Sequence, residues 1–465
     1  MRRTWPFALL GLIECSPSPA QLPPDGGQLP PFDASATAID AGPLPVTVTV
    51  FAGGAPEPGV LVAFQDATGA VLGSSKTDPK GTTSRVVTAG SQVSVMLGTP
   101  GSGSLALYTY VGVEPGDALS VVDPGSYGSA SATLTALPPG PPPAASYFEA
   151  YAGSCGTYVP QLPATMSLSP GCVGPGGKFP LLVLARGTAP SSLAYAFAKD
   201  NALAPPDAGT TTLSLSGKWS TQVGTWTIDA VDVPSSAGSV NAAFGEIANE
   251  VSYAQLSAPA TAPDAGAPSS FETHPGYADS VQSEVNVTFP TGNFTDTEIA
   301  AIATRTAPPA LDGQATIDLA QLLPAITGAS VDFVSDPPRP TVSWKTAGSL
   351  ASADGTFVSF QWVQLQDGGA AAAVITWQLV VPASATNVHV PALPPEASAW
   401  TPSGAQPGGP PTVVTVDGLS GYARLRNLAA ALPPPNLLVN AQGPYVPPLR
   451  KDGTVRLTLY GPSPQ

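Results

Sequence analysis

Apolar and polar residues alternate one for one at the start of the first legible stretch: Val46, Val48 and Val50 are interleaved with Thr47 and Thr49. A period of two sends alternate side chains to opposite faces of a strand, so this run predicts a half-buried β-strand. Further short apolar runs follow at Val60 to Phe64, Ala70 to Leu72, Val86-Val87 and Val93 to Leu97. Between them stand Gly53-Gly54, Pro56 to Gly59, Asp66 to Gly69 and Thr77-Asp78-Pro79-Lys80-Gly81. These are turn sequences: Pro fixes φ, Asp bonds its own backbone, and Gly accepts positive φ. Short strands with Gly-containing connections predict a β-sandwich. Leu105 to Val113, Leu119 to Val122 and Ser131 to Leu137 extend it to a domain at 44–138, closed by the proline run Pro138 to Pro143.

The pattern is less regular from 144 to 335. Lys178 to Ala185 is a continuous apolar run of strand length, and Thr211 to Leu215, Gly224 to Ala230, Val285 to Phe289 and Val331 to Val334 read as strands. Asn241 to Val251 shows apolar residues near helical spacing and is expected to be a helix; Thr295 to Ala303 and Ile317 to Leu323 are expected to be short helices. Asp336-Pro337-Pro338-Arg339-Pro340 marks a boundary, after which 336–465 reads as an Ig-like sandwich with one helical interruption at Arg424 to Ala431. The expected fold class is therefore all-β and multi-domain, with stacked Ig-like or transthyretin-like β-sandwiches and a few short helices.

Composition sharpens this. With 56 Pro and 48 Gly in 465 residues, long helices are broken and turns favoured. Hydrophobic residues make up 43%, enough for a sizeable core, whereas charged residues make up only 11%. The net charge of -15 would repel a phosphate backbone, so no nucleic-acid partner is expected.

One stretch carries a family likeness. Gly54-Ala55-Pro56-Glu57-Pro58-Gly59-Val60, Asp66-Ala67-Thr68-Gly69 and Thr77-Asp78-Pro79-Lys80-Gly81 resemble the carboxypeptidase regulatory-like (transthyretin-like) β-sandwich module. That resemblance covers about one fifth of the chain. It implies a fold and no reaction, since such modules are non-catalytic.

The N-terminal residues are expected to direct export. Met1-Arg2-Arg3 is a charged n-region, and Trp5 to Ile13 is an apolar run too short to span a bilayer. Leu12-Ile13-Glu14-Cys15 resembles a bacterial lipoprotein signal, with Cys15 as the lipidated residue, although Glu14 stands where that pattern has a small residue. Residues 1–15 are thus read as a signal peptide, and 16–43, rich in proline and without periodicity, as a disordered tether. Cys155 and Cys172 remain, and the arithmetic of three cysteines suggests that they form a disulfide.

The sequence carries none of the familiar catalytic motifs. The two histidines, His274 and His389, lie in no HExxH pattern, and GxSxG, SxxK, GxGxxG and Walker sequences are missing. Neither a metal site nor a cofactor is expected. His274 is read as a surface histidine and His389 as an edge-strand one. Asp354-Gly355, Asp367-Gly368 and Asp417-Gly418 lack the spacing of a calcium loop and are read as turns. Among the seven tryptophans, Trp344, Trp362 and Trp377 fall in apolar strands and are expected in the core. Trp400, in a Pro/Ser loop, is the candidate exposed aromatic for ligand binding. The expected function is that of a non-enzymatic exported cell-envelope protein, structural or adhesive, attached to a membrane through lipid at Cys15. The alternative is a protein that binds envelope or extracellular polysaccharide.

Overall fold

The computed structural model describes residues 44–462, except 53–54, 102–103, 124–131, 138–139, 141–142, 154, 169–171, 173–177, 189–190, 203–209, 216–217, 250, 257–266, 292–295, 366–370, 403–405, 429–438, 441–442 and 445–452. Cys15, the expected signal and tether (1–15 and 16–43) and the turn at Asp367-Gly368 lie outside the described residues. The chain is all-β. Among the described residues helical structure is limited to one short α-helix, Tyr422–Leu428, and brief 3-10 turns such as Leu319–Gln321 and Pro395–Trp400. None of these helices is long and apolar enough to cross a membrane.

Two compact units are present. One comprises Ser129–Val223 and Ile247–Ala254; the other takes the described residues before Gly128, Gly224–Glu246 and Gln255–Gln465. These divisions differ from the expected domains at 44–138, 144–335 and 336–465. The reason is strand pairing between distant segments. Ala371–Val381 runs parallel to Ser104–Val113, with Trp377 opposite Leu107. The two stretches read as separate sandwiches therefore share a sheet.

That sheet organises the second unit. Its successive strands include Ser239–Ala248, Ser280–Phe289, Asp296–Thr306, Gly453–Pro462, Thr412–Asp417, Gly355–Leu365, Ala371–Val381, Ser104–Val113, Ser91–Leu97, Leu61–Gln65 and Val71–Lys76. Smaller sheets accompany it: Val46–Ala52 with Thr82–Arg85 and Ala118–Asp123, Gly224–Val231 with Ser269–Thr273 and Gly313–Asp318, and Ile326–Asp332 with Thr341–Thr346 and Asn387–His389. Both faces of the long sheet are covered along much of its length. In Ser91–Leu97 every residue is buried: Val93 and Val95 pack with Val48, Phe64 and Val121, while Met96 packs with Trp344, Trp362 and Trp377. Burying a strand on both faces erases the half-polar alternation.

The same cause explains the misread helices. Asn241 to Val251 is not a helix; Ser239–Ala248 is a strand buried along nearly its whole length. Thr295 to Ala303 falls in the strand Asp296–Thr306, paired on one side with Ser280–Phe289 and on the other with Gly453–Pro462. Small alanines with apolar residues at every spacing satisfy a helical template, but here tertiary pairing decides. Ile317 to Leu323 divides: Gly313–Asp318 is a strand, and Asp318 then accepts from the Ala320 N–H at 2.9 Å to start a single 3-10 turn. The expected helix at Arg424 begins two residues earlier, at Tyr422.

The turn chemistry is as the sequence implies. The Asp78 carboxylate accepts from the backbone N–H groups of Lys80 (2.8 Å) and Thr82 (2.9 Å). Gly81 has φ +70°, and its open α-carbon lets Val50 N–H reach the Gly81 carbonyl at 2.9 Å. A Cβ there would sit 2.6 Å from the Val50 carbonyl oxygen.

Side-chain hydrogen bonds tie the long sheet together. Gln65 Nε2 donates to Ser94 Oγ (3.1 Å), Ser94 Oγ lies 2.9 Å from Thr109 Oγ1, and Trp377 Nε1 donates to Thr109 Oγ1 (2.8 Å). This polar line crosses four strands, including the parallel junction. On the helix, the Tyr422 hydroxyl lies 2.5 Å from the Val111 carbonyl and 2.8 Å from that of Val380, spanning the same junction. Arg426 donates to the Gly112 carbonyl and pairs with Asp117 at 2.6 Å.

The first unit is smaller. A sheet in the order Cys155–Val159, Tyr147–Ala152, Lys178–Arg186, Ser192–Ala202 accompanies a second, Ala164–Leu168, Ala132–Leu137, Thr210–Ser214. Ala150, Ala152, Leu181, Val183 and Ala196 share a core with Met166, Leu168 and the two cysteines.

Candidate functional site

The residues singled out from the sequence do not converge on one place. Cys155 and Cys172 are bonded, with Cα atoms 5.6 Å apart, and both are buried in the core of the first unit. Trp400 is not an exposed aromatic. It ends the 3-10 turn Pro395–Trp400 at 6% exposure, within the cluster of Trp344, Trp362 and Trp377, and its indole N–H donates to the Leu97 carbonyl at 3.0 Å. Packing from distant strands turned a loop position into a core one. His389 does lie on an edge strand, 3.0 Å from Thr341 Oγ1 and 3.5 Å from Asp336.

His274 is corrected as well. It is 1% exposed rather than at the surface. Glu246, 28 residues earlier, grips it twice: one carboxylate oxygen accepts the His274 backbone N–H (2.8 Å) and the other lies 2.5 Å from Nδ1. On the other side of the ring, Nε2 stands 3.9 Å from Glu272. Tyr277 closes the turn through its backbone N–H to the His274 carbonyl (2.9 Å). Burial pushes the Tyr277 phenol far above its ordinary pKa, and the Glu246 and Asp279 carboxylates push the same way. A His–carboxylate pair is the core of a general base. Here its side chains are sealed at 0% and 2% exposure, and the pair links the strand Ser239–Ala248 to the turn that follows Ser269–Thr273. Among the described residues no group of three or more His, Cys, Asp or Glu side chains is placed to hold a metal ion.

An open cleft lies in the first unit, on the strand Ser192–Ala202. Its even-numbered Ala194 and Ala196 face the core, so by the period of two Tyr195 and Phe197 share the opposite face, and Lys199 follows at the register shift that precedes Asn201. The Tyr195 and Phe197 rings are nearly parallel, 14° apart with centroids at 6.3 Å. Backbone hydrogen bonds of 2.9 and 2.8 Å bridge Tyr195 to Ser220 and bring the Lys218-Trp219-Ser220 segment alongside. Together Tyr195, Phe197, Lys199, Lys218 and Ser220 border a cleft of about 420 Å³. Asp200, next in the chain, is engaged by Lys178 (3.0 Å) and Asn249 (3.0 Å); the hydrogen bond and charge of Lys178 hold its carboxyl below the usual range. Sequence reading missed this cleft, although the run Ala194-Tyr195-Ala196-Phe197-Ala198-Lys199 carried the signal: strict alternation of alanine with larger groups.

The same sheet face carries more tyrosines. Tyr158 pairs opposite Glu149 and is 63% exposed, with the Tyr147 ring tilted at 37° against it and centroids 4.7 Å apart. Glu149 pairs with Arg186 at 2.9 Å.

No family model matches the chain. No curated protein matches it either. Among solved structures, the Bacillus anthracis TIE protein is similar at 11% identity and a TM-score of 0.14, covering 60% of this chain and 50% of that one. The chain thus spans half the length of that protein. A Streptococcal ancillary pilin is similar at 8% identity and a TM-score of 0.14, over 59% and 98% of the two chains. The shaft pilin SpaA from Lactobacillus rhamnosus GG is similar at 10% identity and a TM-score of 0.13, over 60% and 98%. Scores this low carry no argument about this chain's fold or role.

Proposed function

We propose that the protein is a non-enzymatic, exported structural or adhesive component of the cell envelope, with a lipid anchor at Cys15. The observation that carries the reading is the long sheet. Segments more than 260 residues apart are knitted into it, and its polar side chains bond one strand to the next. Such interlocking suits a body that holds its shape under load. Two further features support the reading. The His274–Glu246 pair is inside the protein, where it serves cohesion. The Cys155–Cys172 disulfide belongs to an oxidising compartment outside the cytosol.

The test is fractionation of cells producing the full chain, beside a Cys15→Ala variant. The expected result is wild-type protein in the envelope fraction, with an acylated N-terminal peptide at Cys15 and Cys155–Cys172 oxidised. The variant is released in soluble, non-acylated form. Cytosolic protein with free Cys155 and Cys172 thiols would overturn the export reading. Unmodified Cys15 in exported protein would overturn the anchor alone.

A further inference from the structure

We propose that the helix Tyr422–Leu428 is a latch on the parallel junction of the long sheet. It locks the C-terminal ends of Ser104–Val113 and Ala371–Val381 together. Its release lets these two strands part while the rest of the sheet stays closed. The junction is where the sheet is expected to open first. Its strands are 268 residues apart at the Trp377–Thr109 bond, so no turn holds them in register. Their other neighbours are consecutive with them in the chain and antiparallel: Ser91–Leu97 beside Ser104–Val113, and Gly355–Leu365 beside Ala371–Val381. Parallel pairing is also slightly weaker per residue than antiparallel.

The helix takes over where the ladder stops. The last registered pair sets Val380 opposite Tyr110. Pro382, two residues on, has no N–H to continue it. Gly112, at φ +69°, is the extra residue at the register shift between Val111 and Val113. At this end the Tyr422 hydroxyl lies within reach of one carbonyl from each strand, Val111 at 2.5 Å and Val380 at 2.8 Å, so its proton serves either. Arg426 donates to the Gly112 carbonyl, and its other arm pairs with Asp117 at 2.6 Å, in the turn before Ala118–Asp123. The Arg426 guanidinium carbon also lies 4.8 Å from the centre of the Tyr422 ring, so the two side chains hold each other.

The helix is itself fixed to the sheet. Asp354, just before Gly355–Leu365, accepts from the N–H groups of Leu419 and, at 2.5 Å, Gly421, immediately ahead of the helix. Leu425 is fully buried in the core. Gly355 makes the room: a Cβ there would stand 2.4 Å from Leu425 Cδ2 and 2.8 Å from Tyr422 Cδ2. The inference goes beyond the envelope reading and stands apart from it: fractionation tests the one, and purified protein tests the other.

The experiment is amide hydrogen exchange, read by mass spectrometry on the purified full chain and three variants. Tyr422→Phe removes only the hydroxyl, and Arg426→Gln removes the charge. Tyr460→Phe removes a hydroxyl that bonds Asp296, on strands away from the junction. Peptides covering Ser104–Val113 and Ala371–Val381 report the junction, and one covering Ser280–Phe289 reports the sheet beyond it. Tyr422→Phe is expected to speed both junction peptides roughly three- to ten-fold, the scale of one lost buried hydrogen bond. Arg426→Gln is expected to speed them about ten-fold or more, since its bonds are charge-assisted. Exchange in Ser280–Phe289 is expected to stay unchanged in both, and Tyr460→Phe to leave the junction unchanged. Equal acceleration of Ser280–Phe289 overturns the proposal, because the helix would then supply only general stability. So does an unchanged rate in either junction peptide of Tyr422→Phe, or a junction response to Tyr460→Phe as large as that to Tyr422→Phe. Circular dichroism checks the folding of each variant; if Arg426→Gln does not fold, Tyr422→Phe decides alone.

Discussion

Removing the disulfide gives the sharpest prediction about how the first unit is held together. The perturbation is the double substitution Cys155→Ala with Cys172→Ala. The bond closes a loop of 17 residues. In the chain-entropy account, the lost constraint on the unfolded chain is -2.1 - 1.5R ln n, or about -10.5 cal/mol/K for this loop. At 25 °C that is about 3 kcal/mol, a factor of roughly 150 in the opening equilibrium. Both sulfur atoms are also buried, at 6% and 0% exposure, so the cavity left by truncation adds to the loss. The assay is amide hydrogen exchange read by mass spectrometry on the peptide spanning Lys178–Arg186. This strand is paired on both sides, and every residue after Lys178 is buried. Its amides exchange through opening of the unit, so their rate reports the unit's stability. The expected result is acceleration of about two orders of magnitude in this peptide. Acceleration below about five-fold, equivalent to less than ~1 kcal/mol, would refute the reasoning and show that the loop is already constrained in the unfolded chain.

Three more outcomes are expected. Trp400→Ala should destabilise the protein by about 3–5 kcal/mol in urea titration, as for a buried large-to-small change that also strands the Leu97 carbonyl; a value under about 1 kcal/mol would restore Trp400 as a surface aromatic. Glu246→Ala should cost about 3–5 kcal/mol, because it leaves the His274 ring nitrogen and backbone N–H buried beside a missing partner; exchange of the His274 amide unchanged from wild type would sink this account. Stability should also fall above pH 10. Burial raises the Tyr110, Tyr277 and Tyr422 phenols well above their ordinary value of about 10, so the folded state retains protons that the unfolded chain releases. Their contribution is complete below pH 10 and is lost progressively above it, at up to about 1.4 kcal/mol per pH unit for each tyrosine. Urea midpoints flat from pH 9 to 11.5 would contradict this.

How far the sequence could be read depended on distance along the chain. The turn at Asp78 to Gly81 was legible because its geometry comes from Pro, Asp and Gly acting on their immediate neighbours. The strands Val46–Ala52 and Lys178–Arg186 were legible because period and length are local properties. Ser239–Ala248 was not, because cover on both faces removed the alternation that marks a strand. The aromatic face of Ser192–Ala202 was written plainly in its alternating alanines, but no single residue there announces a ligand.

By itself, then, the sequence determined an all-β chain with short strands, tight turns, one pair of internal cysteines and an acidic surface. Only the tertiary structure decided which strands are neighbours. It set Ala371–Val381 parallel to Ser104–Val113, buried Trp400 against Leu97, and closed Glu246 around His274. It also brought Lys218 beside Lys199 at the rim of one cleft. The physical reason is that turn preference and side-chain period are fixed by adjacent residues. Burial and strand pairing are instead set by whichever surface arrives from elsewhere in the chain, and their free energies outweigh local preference.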